Sequence, residues 1–179
     1  MQRKQLEAII KSYGEFPLLI VGIRNSNNKR GIYDDNIIII TSEVFSVFTG
    51  NTDPTSYRKG RGFKQEKGMA TLNTGLWKSY KFGKHKTYPA IIQTGGDVIV
   101  TRDGINEDYK DTGYFGINIH KGGLWTTSSE GCQTIKRDQW DTFYNLAKSE
   151  AIRLFGDKWN SVVIPYLLIS SESTNVKTV

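Results

Sequence analysis

Apolar runs along the chain predict a β-rich fold. Leu18–Arg24 is a continuous apolar run, typical of a buried strand. Residues 32–41, which include four consecutive isoleucines, and residues 44–49 predict two adjacent strands in a hairpin or meander. Residues 75–82 mix aromatic side chains with lysines, a pattern that favours a strand with one packed face.

The middle of the chain predicts two further strands, at residues 89–93 and 97–101. The Thr-Gly-Gly stretch at 94–96 has the turn chemistry of a hairpin loop and predicts that these two strands pair. The polar segment 102–113 lacks the spacing and the terminal Glu of a calcium-binding loop. It therefore predicts a long surface loop.

Helical spacing occurs near both ends of the chain. Residues 2–13 predict a short amphipathic helix, and residues 137–155 carry apolar side chains at steps of three and four, with Asp138 as the predicted N-cap. Residues 159–169 predict a last strand. Pro165 within it favours an edge position, because proline has no N–H to donate to a neighbouring strand.

These elements together predict a β-rich α+β protein. We expect one domain over residues 1–179, with a mixed sandwich or barrel-like sheet, a short N-terminal helix and one helix near the C-terminus. No internal repeat or linker divides the chain. The polar residues 170–179 predict a frayed tail.

Composition restricts the class of partner. The net charge is +6 and the sequence pI about 9.3, which suits an anionic polymer or surface. The most basic stretch, residues 57–64, predicts an exposed, solvated loop; its aromatic side chains leave a groove for a polyanionic or glycan-bearing ligand as the alternative. No nucleic-acid-binding motif occurs, so nucleic acid is not predicted as a partner.

The apolar runs are too short to cross a membrane, so no integral membrane segment is predicted. The N-terminus lacks the apolar core and cleavage site of a signal peptide, and synthesis in the cytoplasm is expected. A single cysteine excludes an intramolecular disulfide.

Residues 114–135 carry the candidate chemistry. This segment contains the only cysteine, Cys132, and one of the two histidines, His120, within a polar, glycine-rich sequence. Thiol catalysis needs a nucleophile on a tight turn and a base within hydrogen-bond reach. Gly131 leaves room for a substrate carbonyl beside the sulfur, and backbone N–H groups near Cys132 are candidates to stabilise an oxyanion.

The residues Ile119-His120, a glycine-containing loop and Ser129-Glu130-Gly131-Cys132-Gln133-Thr134-Ile135 resemble the catalytic signature of the L,D-transpeptidase (YkuD-like) family. The resemblance implies a peptidoglycan enzyme without cofactor or metal. It implies Cys132 as nucleophile, His120 as general base, and Gly131, Ser129 and Glu130 as the oxyanion turn.

Two positions depart from the family pattern. Glu130 stands where the family has a second His, and Gln133-Thr134 replaces an apolar residue followed by Arg or Asn. The His and Cys are twelve positions apart, a compact spacing. The pattern is similar to that of compact phage or antibacterial-effector members, which implies action on peptidoglycan stem peptides at the periplasmic cell wall or from a phage particle, by hydrolysis or transpeptidation.

Other residues are candidates to contact the substrate. His85 lies between Lys84 and Lys86, and the stretch 83–86 predicts a turn that places His85 on a surface loop, with the cleft as the alternative. The backbone carbonyls, Asn118 or Ser129 could each orient His120. The full set of predicted substrate-binding residues is Gly122, Gly123, Asn118, Trp125 and His85.

Two other kinds of function remain open at this level. A zinc hydrolase would use His85, His120 and a carboxylate, with Glu130 as base. A non-catalytic phage structural or cell-wall-binding module would keep the fold with an altered turn. The adjacent acids Asp34 and Asp35 are expected to be solvated and to bind no metal.

Overall fold

A computed structural model describes residues 2–58 and 67–174, with side chains described up to residue 172. Within these ranges the chain forms two sheets and two α-helices, together with short 3-10 turns. The helices are α1 (Arg3–Ile10) and α2 (Trp140–Phe155). The strands are β1 (Leu18–Arg24), β2 (Asp35–Thr41), β3 (Phe45–Asn51), β4 (Ala70–Leu72), β5 (Gly75–His85), β6 (Tyr88–Gln93), β7 (Val98–Arg102), β8 (Tyr109–Gly113), β9 (Ile119–Lys121), β10 (Gln133–Ile135) and β11 (Ile164–Ser170).

Eight of the described strands close into a barrel in the order β1-β11-β5-β6-β9-β10-β3-β2. β1 pairs with β2 in antiparallel and with β11 in parallel orientation. β9 and β10 form the second parallel pair of the barrel. Closure leaves no free edge on these strands. The continuous apolar runs of β1 and β2 have a separate cause: side chains on both faces of these strands are buried.

The long strands pack against α1 on the outside of the barrel. Leu6 of α1 is fully buried and packs in a cluster with side chains of β1, β2 and β11. These members of the cluster are Leu19, Val21, Ile23, Ile38, Ile40, Leu167 and Ile169. The apolar face of the predicted N-terminal helix therefore covers one wall of the barrel.

The second helix packs against another part of the barrel. Phe143 of α2 meets Phe48 of β3 edge to face, with ring centroids 5.2 Å apart. Trp140, at the start of α2, lies edge-on to Tyr88 of β6 at 6.5 Å. The helix thereby supports the neighbourhood of the strands that carry the candidate chemistry.

The small sheet has the order β4-β7-β8, and all of its pairings are antiparallel. It lies against the turn that precedes β10, because the amide of Ala70 in β4 donates to the carbonyl of Glu130 at 3.1 Å. This sheet therefore provides one side of the surroundings of Cys132.

The structure confirms the predicted fold class, a β-rich α+β protein with a barrel-like sheet, a short N-terminal helix and a helix after the cysteine turn. The strands at 18–24, 32–41 and 44–49 are present, and the last two form the predicted hairpin. No helix in the described ranges is long and apolar enough to cross a membrane.

The predicted hairpin between residues 89–93 and 97–101 is wrong. Both strands exist, but β6 lies in the barrel and β7 in the small sheet. The amides of Thr94 and Gly95 donate to the carbonyl of Ser79, which turns the chain away from its own preceding strand. The predicted loop 102–113 instead contains β8, which pairs with β7.

The edge position predicted from Pro165 is also wrong. β11 lies between β1 and β5 in the closed barrel. The pairing register with β5 shifts between Ile164 and Tyr166. This irregularity accommodates the missing N–H of proline without an edge.

Two smaller predictions fail for local reasons. The N-cap of α2 is Gln139, and a 3-10 turn at Arg137–Gln139 contains Asp138, whose side chain makes no cap hydrogen bond. Asp35 is 2% exposed rather than solvated. Its carboxylate accepts hydrogen bonds from the Asn25 amide and from both the amide and hydroxyl of Thr52, which offset the cost of burial.

Two predictions fall partly on residues that the structure does not describe. Residues 59–64 of the basic stretch lie outside the described ranges. Of the predicted tail, Ser170 ends β11 and Ser171–Thr174 forms a 3-10 turn, whereas residues 175–179 lie outside the description.

Candidate active site

The parallel pair β9–β10 brings the two candidate catalytic residues onto one face. Thr134 pairs with His120, and Gln133 with Ile119. Cys132 precedes β10 by one residue, in line with Asn118, whose amide contacts its sulfur. Because successive side chains along a strand point to opposite faces, His120 and Cys132 share one face as diagonal neighbours. His120 is the middle residue of β9.

Both residues line one pocket of about 750 Å³. The pocket lies between the β5–β6 hairpin, the β9–β10 pair and the small sheet. Its volume suits a peptide-sized ligand rather than a single ion. Its lining residues are Lys67, Gly68, Ala70, His85, Lys86, Arg102, Tyr114, Phe115, Gly116, Asn118, His120, Ser128, Glu130 and Cys132.

A backbone carbonyl orients the imidazole of His120. Its Nδ1 lies 2.8 Å from the carbonyl oxygen of Lys121, which can only accept, so Nδ1 carries the proton in the neutral ring. The Tyr88 hydroxyl is 3.1 Å from the same nitrogen and donates to the same carbonyl at 3.5 Å. Nε2 is therefore left unprotonated, as a general base requires.

The neighbours of His120 keep its ring neutral. The pKa of His120 is lowered to about 4, mainly by burial and then by the nearby His85 and Lys86, whereas the Lys121 carbonyl opposes the shift. The residue is only 4% exposed. At neutral pH, His120 is accordingly a base without a proton on Nε2.

His85 stacks directly on His120. The ring centroids are 4.1 Å apart and the planes differ by 4°. The surface loop predicted for His85 is wrong, because β5 runs through this residue and the turn comes after it. Burial, and then the charge of Lys86, lowers the pKa of His85. Two stacked imidazoles cannot both be charged at low cost, so the pair is predominantly neutral.

Asn118 fixes the proton of His85, and it does not orient His120. The Asn118 Oδ1 accepts the Gln93 amide at 2.9 Å, so its Nδ2 is the group that faces His85 Nδ1 at 3.0 Å. An amide nitrogen can only donate, so His85 Nδ1 is the acceptor. The remaining N–H of neutral His85 is therefore on Nε2.

The thiol of Cys132 is neutral and partly exposed. The Asn118 amide donates to Sγ at 3.4 Å, and the thiol donates to the Gly116 carbonyl at 3.4 Å. The pKa of Cys132 is raised to about 11, mainly by burial and also by Glu130, whereas the Asn118 amide and the Lys86 charge oppose the shift. In the resting protein the thiol proton therefore lies on sulfur, directed at a backbone carbonyl.

Ser129 closes the turn that presents Cys132. Its hydroxyl accepts the Gly131 amide at 3.0 Å and donates to the Cys132 carbonyl at 2.7 Å. Its amide donates to Thr55 Oγ1 at 2.7 Å, and the Thr55 amide donates back to its carbonyl at 2.8 Å. The turn is thus tied both to itself and to the segment after β3.

Gly131 is required by packing. Its φ is +150°, and a Cβ at this position would lie 2.3 Å from the Ala70 carbonyl oxygen. The space beside Gly131 is therefore occupied by β4 rather than open to a substrate, and its amide is engaged by Ser129. Glu130 lies next to it, exposed at the pocket rim.

Three predicted substrate-binding residues lie outside this pocket lining. A Cβ on Gly122 would lie 1.9 Å from the Tyr33 hydroxyl, so this glycine allows close packing. Gly123 lines a smaller cavity of about 420 Å³ beside Tyr33. Trp125 is 93% exposed on the same loop. The structure brings Asn118 and His85, but not these three, next to His120 and Cys132.

Sequence reasoning missed three residues that build the site. Tyr88 contacts His120, Lys86 lines the pocket, and Gln93 holds Asn118. The two residues between His85 and Tyr88 were the available signal, since a two-residue hairpin loop there pairs these positions and brings both side chains next to His120. Gln93 ends an apolar run, and its pattern gives no such signal.

The zinc alternative finds no site in the described ranges, which contain no group of three or more His, Cys, Asp or Glu side chains suited to a metal ion. The pocket brings together the thiol of Cys132 and the neutral imidazole of His120, and the imidazole of His85 stacks on the latter. Comparisons of the chain with protein-family models and with curated proteins find no match.

Proposed function

We propose that this protein is a cysteine-dependent acyl transferase or peptidase that acts on the stem peptides of peptidoglycan. The observation that carries the proposal is the pairing of Cys132 with His120 on one face of β9–β10, at a shared pocket, with the proton of His120 fixed on Nδ1. The resemblance of residues 119–135 to the L,D-transpeptidase signature supplies the substrate class.

In the proposed first step, His120 Nε2 accepts the thiol proton as Cys132 Sγ attacks a carbonyl carbon of the stem peptide. The carbonyl π electrons move to oxygen. The amide of Cys132, which makes no hydrogen bond to another described residue, is the candidate donor to this oxyanion. When the C–N bond breaks, the protonated His120 gives its proton to the leaving amine, and a thioester remains.

In the second step, an amine or a water molecule attacks the thioester carbonyl. His120 accepts a proton from the attacking group and returns it to the Cys132 sulfur as the C–S bond breaks. An amine gives a new peptide bond, and water gives a shortened stem peptide. Proton transfer accompanies attack in this scheme because the resting thiol and imidazole are both neutral.

The test is mass spectrometry of muropeptides from purified sacculi incubated in heavy-oxygen water with the wild type, Cys132→Ala or His120→Gln. We expect new muropeptides with the wild type only. Incorporated heavy oxygen would identify hydrolysis, and a mass without it would identify amine transfer. Unchanged muropeptides across several wall types, with sacculi still binding the protein, would favour a non-catalytic wall-binding module instead.

If the proposal holds, the protein works where peptidoglycan lies, at the periplasmic cell wall or from a phage particle. The basic character of the chain is consistent with approach to an anionic wall polymer, an attraction that salt weakens.

A further inference from the structure

The turn of the β5–β6 hairpin places a lysine at the pocket in an unusual backbone conformation. His85 pairs with Tyr88, so the loop contains only two residues, Lys86 and Thr87. Lys86 has φ +56°, in the left-handed region. Two-residue loops with a positive φ at their first position strongly prefer glycine there. Residues with strained backbone cluster at functional sites, where the side chain they carry has a role.

Lys86 differs from the other cations that line the pocket. Lys67 and Arg102 both contact the carboxylate of Asp111, at 3.3 and 2.7 Å. Lys86 has no ion-pair partner among the described residues, and it is exposed to solvent. It therefore differs from Lys67 and Arg102 in having no carboxylate of the described residues to neutralise its charge at the pocket.

The charge of Lys86 acts on the reacting groups. It lowers the pKa values of His85, His120 and Cys132, which places it within electrostatic reach of all three. His85, directly before it, has its Nδ1 engaged by Asn118 and retains an N–H on Nε2. The residues that carry an ammonium group and a fixed N–H donor thus both line the pocket.

We propose that Lys86 and the His85 Nε2–H form a subsite that binds a carboxylate of the substrate next to Cys132. This inference rests on the proposed function for the identity of the substrate, a stem peptide. Ammonium and N–H donors are complementary to a carboxylate, and charge-assisted hydrogen bonds are the stronger kind. The carboxylate comes from the peptide C-terminus or from a side chain of the stem.

The test measures binding by isothermal titration calorimetry in the Cys132→Ala background, so that no turnover intervenes. The probes are a synthetic tetrapeptide stem with free carboxylates, the same peptide amidated at its C-terminus, and the same peptide amidated at its side-chain carboxylates. We expect Lys86→Gln to weaken binding of the free acid about tenfold, the range of a charge-assisted hydrogen bond. Lys86→Arg should retain most of the affinity.

Amidation of the carboxylate that Lys86 binds should weaken binding of the probe by the same factor as Lys86→Gln does. Lys86→Gln should then have no further effect on the Kd of that amidated probe, which identifies the source of the carboxylate. Lys84→Gln is the matched control, since Lys84 is an exposed lysine of the same hairpin outside the pocket lining. His85→Phe keeps a ring against His120 and removes the N–H; we expect a loss of about threefold. An unchanged Kd in His85→Phe would remove His85 from the subsite.

Equal Kd values for Lys86→Gln and its parent with every probe, or no binding of any probe to the parent, would overturn the subsite. Failure of the proposed function would look different. Muropeptides unchanged by the wild type, together with Lys86-dependent binding of the free-acid probe, would reject catalysis and leave the subsite in place. Muropeptides altered by the wild type, together with probe binding that does not depend on Lys86, would support catalysis and reject the subsite.

Discussion

Two opposite walls of the barrel are built in different ways. On one wall, β1, β2 and β11 are seven residues long and almost entirely buried. On the other, β9 and β10 are three residues long, and β9 pairs with β6 at a single position, Ile91 with Ile119. The first wall is held by apolar burial over long strands, and the second wall carries the candidate chemistry. The barrel separates stability from reactivity.

Side-chain hydrogen bonds replace strand pairing in the short wall. Gln93 is fully buried, and its side chain accepts the amides of Phe115 and Ile117 and donates to the carbonyls of Gly96 and Gly113. It therefore holds the irregular segment before β9. A buried amide with all four hydrogen bonds made positions backbone as firmly as a strand neighbour does. The rigidity of a reactive site on short strands comes from such groups.

The largest expected effect comes from removing the nucleophile. We expect Cys132→Ala to lower kcat/KM on muropeptides by at least about 10³-fold, because the acyl-enzyme cannot form. Thermal unfolding should change little, since the thiol is partly exposed and packs in the short wall. The assay is muropeptide turnover with a parallel melting curve. Full activity in this variant would rule out Cys132 as nucleophile.

The long wall should respond in the opposite sense. Ile39 is fully buried in β2, and Ile39→Ala should lower the free energy of unfolding by about 2–5 kcal/mol through lost burial and a cavity. Urea denaturation measures the change. The control is Val47→Ala on the paired strand β3, where the side chain is 51% exposed and the expected change is within about 0.5 kcal/mol. Equal losses in both variants would contradict the assigned core.

The pH dependence of thiol reactivity tests whether Cys132 and His120 are a neutral pair or a thiolate–imidazolium pair. With the pKa of Cys132 raised to about 11, the thiolate fraction grows as pH rises toward that value. The rate of alkylation by iodoacetamide should therefore increase about tenfold per pH unit, or about a hundredfold from pH 7 to 9.

His120→Gln is the matched control for that profile. Because the resting thiol donates to Gly116 rather than to His120, the variant should show the same pH dependence. A plateau of alkylation below pH 7 in the wild type that disappears in His120→Gln would instead indicate a thiolate–imidazolium pair.

The smallest expected effect concerns the hairpin at the pocket. Lys86→Gly should raise the free energy of unfolding by up to about 1 kcal/mol, because glycine adopts the left-handed conformation without the penalty of a Cβ. Lys84→Gly, two residues earlier within β5, should lower it by about 0.5–1 kcal/mol. Changes of opposite sign in the free energy of unfolding, measured by urea denaturation, would show that Lys86 destabilises the turn relative to glycine. A loss in both variants would refute the strain at Lys86.

The sequence by itself determined most of the elements of this protein. Continuous apolar runs identify β1 and β2, because strands buried on both faces need apolar side chains at every position. Steps of three and four identify α2. The same local reading put Cys132 and His120 in one glycine-rich segment, since both lie close together in the chain.

Only the tertiary structure decided which strands pair and what surrounds the two residues. β6 and β7 are sequence neighbours in different sheets, and Pro165 lies inside a closed barrel, because closure and long-range pairing depend on partners far along the chain. For the same reason no local sequence pattern predicts that His85 stacks on His120, which lies 35 positions away in the chain. The proton on His120 is set by a carbonyl, a group that every residue carries, so its role becomes visible only in the folded protein.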